Sequence, residues 1–294
     1  MQDLVNRLRA LPGVQPNAPA SFDQIEEAEA QLGGELTQEV RDFYAICDGM
    51  IFNECLDVPP LERMLEYFSG IIQTPLFNLM VIILDEHESN PFFLFHKGPL
   101  RGYVARVSHD GDSFVGWRSL AALLEELAVQ PLRLGKISAD NLAGELKHSE
   151  RTERDVQAGR GMIEFAKNTE LDEADRPLAY GFGFDLLGDG QASEIAAFLD
   201  DEDMFVARAA RGRLAQLQGA EAKAVLAKHR AEVKRLVQRC AELLRGAGRN
   251  ATVVNELNIR IDPGPIWLDW GALYSEKDRP DFEQWLLRRG TKLS

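Results

Sequence analysis

Residues Met80–Phe95 read MVIILDEHESNPFFLF, and this stretch decides the fold class. Met80-Val81-Ile82-Ile83-Leu84 and Phe92-Phe93-Leu94-Phe95 are short apolar runs, and Asp85-Glu86-His87-Glu88-Ser89-Asn90-Pro91 between them has the polarity of a turn. Two neighbouring strands joined by an acidic turn are the expectation. Downstream, Tyr103-Val104-Ala105-Arg106-Val107 alternates with period two, and His109-Asp110-Gly111-Asp112 supplies turn chemistry before Phe114-Val115-Gly116-Trp117. Three or four antiparallel strands result. Ser119 is placed to cap a closing helix through Leu120, Leu123, Leu124 and Leu127, with Pro131 expected to limit it.

Upstream the periodicity is helical. A short first helix carries Leu4, Leu8 and Leu11 on one side and ends before Pro12 and Gly13. Ser21 and Gln24 have capping-box spacing, Ile25, Ala28 and Leu32 repeat at helical intervals, and Gly33-Gly34 stops that second helix. Thr37 opens a third, with Val40, Phe43, Tyr44 and Cys47 on one face and Gly49 as terminator. Helices followed by antiparallel strands and a closing helix make the first part α+β.

The segments Ile25-Glu26-Glu27-Ala28-Glu29 through Leu32-Gly33, Leu36-Thr37-Gln38-Glu39-Val40-Arg41-Asp42-Phe43-Tyr44 and Cys47-Asp48-Gly49 resemble the two-helix signature of the SUKH superfamily, the Smi/Knr-like proteins. Asn90-Pro91-Phe92-Phe93-Leu94, Gly102-Tyr103-Val104, His109-Asp110 and Trp117-Arg118-Ser119-Leu120 follow in the family's order. The resemblance spans about residues 18–130, with Thr37 where the family usually has proline and Trp117-Arg118 replacing a small-acidic pair. It implies a helix-flanked sheet without catalytic machinery, of the kind found in bacterial immunity proteins that bind and neutralise toxins, often nucleases.

Of 294 residues, 33 are Lys or Arg and 47 are Asp or Glu, for a net charge of -14. Residues 1–150 hold 11 basic and 23 acidic residues, residues 151–294 hold 22 and 24. The acidic first half disfavours direct nucleic-acid binding there and suits a basic protein partner. Cys47, Cys55 and Cys240 are too scattered for a disulfide framework or a zinc site, and no apolar run approaches the length of a membrane span. A cytoplasmic location follows as the expectation, with no membrane partner; oligomeric state is left open.

Residues 136–160 are polar with mixed charge and are expected to form a junction containing some helix, between a 1–135 domain and a mainly helical domain over 161–294. Leu171-Asp172-Glu173-Ala174-Asp175 with Ala179 and Leu186 is echoed 28 residues on by Leu199-Asp200-Asp201-Glu202-Asp203, Ala207 and Leu214. The second copy resembles a HEAT-like repeat, which implies an extended binding face. Past Asn250, Thr252-Val253-Val254, Leu257, Ile259, Ile261 and Ile266–Trp270 suggest strands, and Asp281–Arg289 a final helix.

The five histidines, His87, His96, His109, His148 and His229, form no metal-ligand spacing, so no metal is expected. Cys47 continues an apolar stripe and reads as a buried thiol rather than a nucleophile. Gly181-Phe182-Gly183 lacks the third glycine of a dinucleotide loop and suits close helix packing, so no cofactor is expected either. The candidates that remain are acidic clusters read as turns: Glu54 and Asp57; Asp85, Glu86 and Glu88; Asp110 and Asp112. Phe52, Tyr103, Phe114 and Trp117 stand near them as anchors, should they reach the surface. The sequence points to a non-enzymatic immunity protein that occludes a cognate toxin. The rival readings are a hydrolase or transferase with a site between the halves, and an intracellular protein-binding scaffold.

Overall fold

The computed structural model describes the chain except residues 54–55, 72–73, 87–89, 109–112, 135, 202, 256–257, 263–265, 270–279 and 290–294. It is a mixed α/β protein with several small antiparallel sheets and many helices. The chain separates into two compact units, Met1–Leu187 and Gly188–Ser294.

The first unit opens with α1 (Gln2–Arg9), which buries Leu4, Val5 and Leu8. A two-residue strand, β1 (Gln15–Pro16), leads to α2 (Phe22–Leu32) and α3 (Gln38–Ile46). Ser21 and Gln24 form the expected reciprocal capping box, and Gly33 ends α2 in the left-handed region at φ 69°. Thr37 occupies the N-cap of α3 without a side-chain capping bond. Gly49, after α3, is required by both conformation and space. Its φ is +86°, and a Cβ there would sit 2.7 Å from the Val58 carbonyl oxygen. The chain then forms the hairpin β2 (Met50–Asn53) and β3 (Leu56–Val58), followed by α4 (Leu61–Gly70). Neither hairpin nor α4 is evident from periodicity alone.

The decisive stretch is β4 (Met80–Leu84) and β5 (Phe92–Phe95), continued by β6 (Val104–Arg106) and β7 (Phe114–Trp117) in a four-stranded antiparallel meander. Val81, Leu94, Val104 and Trp117 lie in one register row. That row packs into a core shared with Leu8, Ile25, Phe43 and Leu124, from α1 to α3 and α5 (Leu120–Leu134). Ser119 Oγ accepts from the Ala122 amide at 3.1 Å, as a cap should. Pro131 does not stop α5, which continues through Leu134. Proline so near a helix end removes one hydrogen bond, and only a single further turn depends on it.

The opposite register row, Ile82, Phe93, Ala105 and Val115, is buried as well. Its cover comes from α6 (Glu153–Asn168) and α7 (Asp175–Asp185). Phe95 meets the Phe182 ring edge-on at 5.6 Å, and the Val115 amide donates to Asp185 Oδ2 at 2.9 Å. Gly159 and Gly183 let α6 and α7 touch: a Cβ on Gly183 would lie 2.7 Å from Ile163 Cγ1, whereas Gly181 faces open space. Continuous apolar strands require this two-sided burial. The division between units therefore falls at 187/188 instead of within 136–160.

The expected junction is itself bound to the sheet. Glu126 of α5 accepts from Trp117 Nε1 at 2.7 Å and from the Ala143 amide at 2.8 Å, and Gln130 accepts from the Ser138 amide at 2.8 Å. Arg151 donates to the Asp185 carbonyl at 2.9 Å.

The second unit contains α8 (Ala192–Ala196), α9 (Met204–Gln216) and the 27-residue α10 (Ala220–Gly246). Asp203 caps α9, accepting from the Phe205 and Val206 amides. A three-stranded antiparallel sheet follows, of β8 (Asn250–Asn255), β9 (Asn258–Asp262) and β10 (Ile266–Asp269) in the order β10-β9-β8, then α11 (Phe282–Arg289). Val233, Val237, Cys240 and Leu244 of α10 form a core with Ala251, Ile259, Ile261, Trp285 and Leu286. The two stretches that echo each other at 28 residues fall in different units, as α7 and α9. Leu257 and Trp270 lie outside the described residues. No helix among the described residues is long and apolar enough to cross a membrane.

Candidate functional site

The acidic residues singled out from the sequence divide into two groups. Glu54, Glu88, Asp110 and Asp112 lie outside the described residues. Asp57, Asp85 and Glu86 are buried, at 3%, 8% and 7% exposure, which corrects the expectation of turns that a partner can reach. The cause is a backbone bridge: Asp57 and Asp85 exchange amide-to-carbonyl bonds of 2.9 and 2.8 Å, joining the β2–β3 hairpin to the end of β4. Helix α4 supplies the partners. Arg63 pairs with Asp57, and Tyr67, one turn on, donates its hydroxyl to Asp85 Oδ2 at 2.8 Å. Burial and the Asp85 carboxylate both push the Tyr67 hydroxyl above its ordinary pKa. Glu86 accepts from Arg106 at 3.3 Å, and the Arg106 guanidinium lies 5.4 Å from the centre of the Phe92 ring. Carboxylates matched this way hold two sheets together, because a buried charge is tolerated only when paired and hydrogen-bonded.

A second polar network, absent from the sequence-based candidates, centres on Asp155, which is fully buried at the start of α6. Arg118 grips it with Nε at 3.0 Å and Nη2 at 2.8 Å, Tyr103 donates at 2.8 Å, and the Thr152 amide donates at 2.7 Å. Burial alone would raise the Asp155 pKa, but the bonds from Arg118, Thr152 and Tyr103 outweigh it and bring the group down to about 2. Arg118 also donates to the Glu150 carbonyl, and its own amide donates to Glu145. The Trp117-Arg118 pair is thus the clasp between β7 and the following segment.

Nucleophilic chemistry finds no support at Cys47. Its thiol is buried, donates to the Gly49 carbonyl at 2.7 Å, and is pushed above its ordinary pKa by that burial. His96 is buried beside Phe68, its Nε2 within 3.1 Å of the Asn78 carbonyl, and burial with Lys97 nearby lowers its pKa to about 4. Among the described residues no group of three or more His, Cys, Asp or Glu is arranged to hold a metal. Phe52, Tyr103 and Trp117 are core side chains, and Phe114 is half-buried.

Part of the exposed acidity of the first unit lies on helices. Asp23, Glu26 and Glu27 project from α2 beside Phe22, whose ring is 64% exposed, and Asp42 projects from α3. Glu29 turns inward on the same helix, where it accepts from the Leu36 amide at 2.8 Å and pairs with Arg41 at 3.1 Å. The available sequence signal was the period: positions 23, 26 and 27 fall away from the buried stripe Ile25, Ala28, Leu32, with Phe22 at its flank.

The second unit presents the other sign. From Met204 to Arg249 the chain carries eleven Lys and Arg against three Glu. A cavity of about 780 Å³ beside α10 is walled by Lys234, Arg235 and Arg239, with Val237 and Val253 as apolar lining and Glu242 as its carboxylate. Comparison with protein-family models, with curated proteins and with solved structures finds no match for this chain.

Proposed function

We propose that the chain is an immunity-type binding protein whose SUKH-like first unit docks a basic protein toxin and neutralises it by steric and electrostatic occlusion, with no chemistry of its own. The carrying observation is the charge of that unit, 16 Lys and Arg against 31 Asp and Glu, of which Asp23, Glu26 and Glu27 of α2 and Asp42 of α3 face solvent. The order of elements supports the reading: two helices, a hairpin, a helix, a four-stranded meander and a closing helix. Phe22, 64% exposed, supplies an apolar anchor at the edge of the acidic α2 surface, the kind of residue that contributes to a contact beside charged groups. In this reading α8, α9 and the start of α10 form a HEAT-like scaffold.

The test uses the toxin encoded beside this gene. Full-length chain should protect cells from it and bind it, and the variant Asp23→Lys, Glu26→Lys, Glu27→Lys should slow association most at low salt while the melting temperature stays unchanged. Asp85→Lys serves as the contrast, because burying an unmatched cation there disrupts folding. Absence of protection, or association unaltered by the α2 reversals at both low and high salt, defeats the proposal.

A further inference from the structure

The toxin reading makes no use of the second unit's charge, which is concentrated on one side of two helices. At 3.6 residues per turn, Lys223, Arg230, Lys234 and Arg245 fall within about 60° of one another along α10, and all four are exposed. Glu221, Glu232 and Glu242 lie outside that line. From Lys223 to Lys234 the cationic row runs for about 17 Å at 1.5 Å per residue, and buried Ala241 separates it from Arg245. Helix α9 extends it sideways: Arg211 has its pKa lowered by burial and by the charges of Arg208 and Arg230, so the fold holds three guanidinium groups within range of mutual repulsion.

Like charges gathered this way cost stability, and a polyanion relieves the cost. The exposed positions that accompany Lys223, Arg230 and Lys234 on the row are Ala227 and Gln238, without a large apolar anchor of the kind a protein interface needs at its centre. A phosphate backbone needs cations at intervals and nothing else. We propose that the cationic face of α9 and α10 binds the phosphate backbone of a nucleic-acid duplex without sequence selectivity. The expectation that nucleic acid is excluded rested on the acidity of residues 1–150 and not on this face.

The experiment is fluorescence anisotropy of a labelled 20-base-pair DNA duplex titrated with the full-length chain. Engagement of four or five cations predicts affinity falling on the order of 10²-fold between about 50 and about 200 mM salt. Two duplexes of unrelated sequence should bind alike. Lys223→Gln, Arg230→Gln, Lys234→Gln should weaken binding at least tenfold and flatten the salt slope by about three, with circular dichroism confirming retained helix. Lys167→Gln, in the first unit, should change nothing. Lack of duplex binding at about 50 mM salt, binding undiminished in the triple variant, or capture of a poly-glutamate peptide in place of DNA would each overturn the proposal.

Discussion

The two units handle charge in opposite ways. Met1–Leu187 holds 16 Lys and Arg against 31 Asp and Glu, whereas Gly188–Ser294 holds 17 against 16. In the first unit three cations are matched to buried carboxylates: Arg63, Arg106 and Arg118 pair with Asp57, Glu86 and Asp155. Each pair removes one charge of either sign, so the acidic excess of the unit is unchanged. In the second unit the α10 cations project outward while its core is a single apolar line from Val233 to Leu244. The difference teaches that buried pairs decide which carboxylates reach the surface, while the net charge stays what the sequence gives.

The sharpest way to break the comparison is to move the boundary. A fragment of residues 1–135 would expose Phe95, Tyr103 and Val115, each contributing about 1.5–3 kcal/mol of burial, against a typical total stability of about 5–15 kcal/mol. It should lack a cooperative thermal transition, while residues 1–187 should melt cooperatively. A cooperative melt of 1–135 with native near-ultraviolet dichroism would detach α6 and α7 from the first unit.

A smaller but still large effect is expected at the clasp. Asp155→Ala leaves the Arg118 guanidinium without its carboxylate and should cost about 3–5 kcal/mol in urea unfolding, confined to the first unit's transition. The pH dependence sharpens this. The folded pKa of Asp155, about 2, lies below the ordinary 3.8. Its contribution is therefore fully present above about pH 4 and is lost as pH falls toward 2. Acid unfolding of the first unit should lose that component in Asp155→Asn, and an unchanged acid limb would contradict the network.

The smallest effect separates two glycines on one helix. Gly183→Ala should destabilise by about 1–3 kcal/mol through overpacking against Ile163, whereas Gly181→Ala, facing open space, should stabilise by up to about 1 kcal/mol. Equal effects in thermal melts would mean that α6 and α7 do not touch at Gly183.

Much of the secondary structure was legible because it is governed by neighbours. The Ser21–Gln24 capping box, the Gly33 stop, the Ser119 cap and the strands at 80–84 and 92–95 follow from spacing over a few residues. The α4 helix was missed because Pro59-Pro60 and the short apolar pieces around it resemble loop. The candidate site fared differently. Asp85 and Glu86 follow a strand and look like turn residues, yet the bridge to Asp57 and the presence of Arg63, Tyr67 and Arg106 draw them inward. Residues 18 to 28 positions apart decide that, and no local pattern encodes it.

By itself the sequence determined the α+β character of residues 18–130, the helical period from α6 onward and the excess of acid, since these rest on composition and on periods of 2 and 3.6. Tertiary structure alone decided which carboxylates face solvent, that α6 and α7 close the second face of the sheet, and that the α9 and α10 cations share one surface. Local propensity is settled by a residue's immediate neighbours along the chain. Burial of charge is settled by whether a partner arrives through space, because a carboxylate enters the interior only where a matching donor offsets the loss of water.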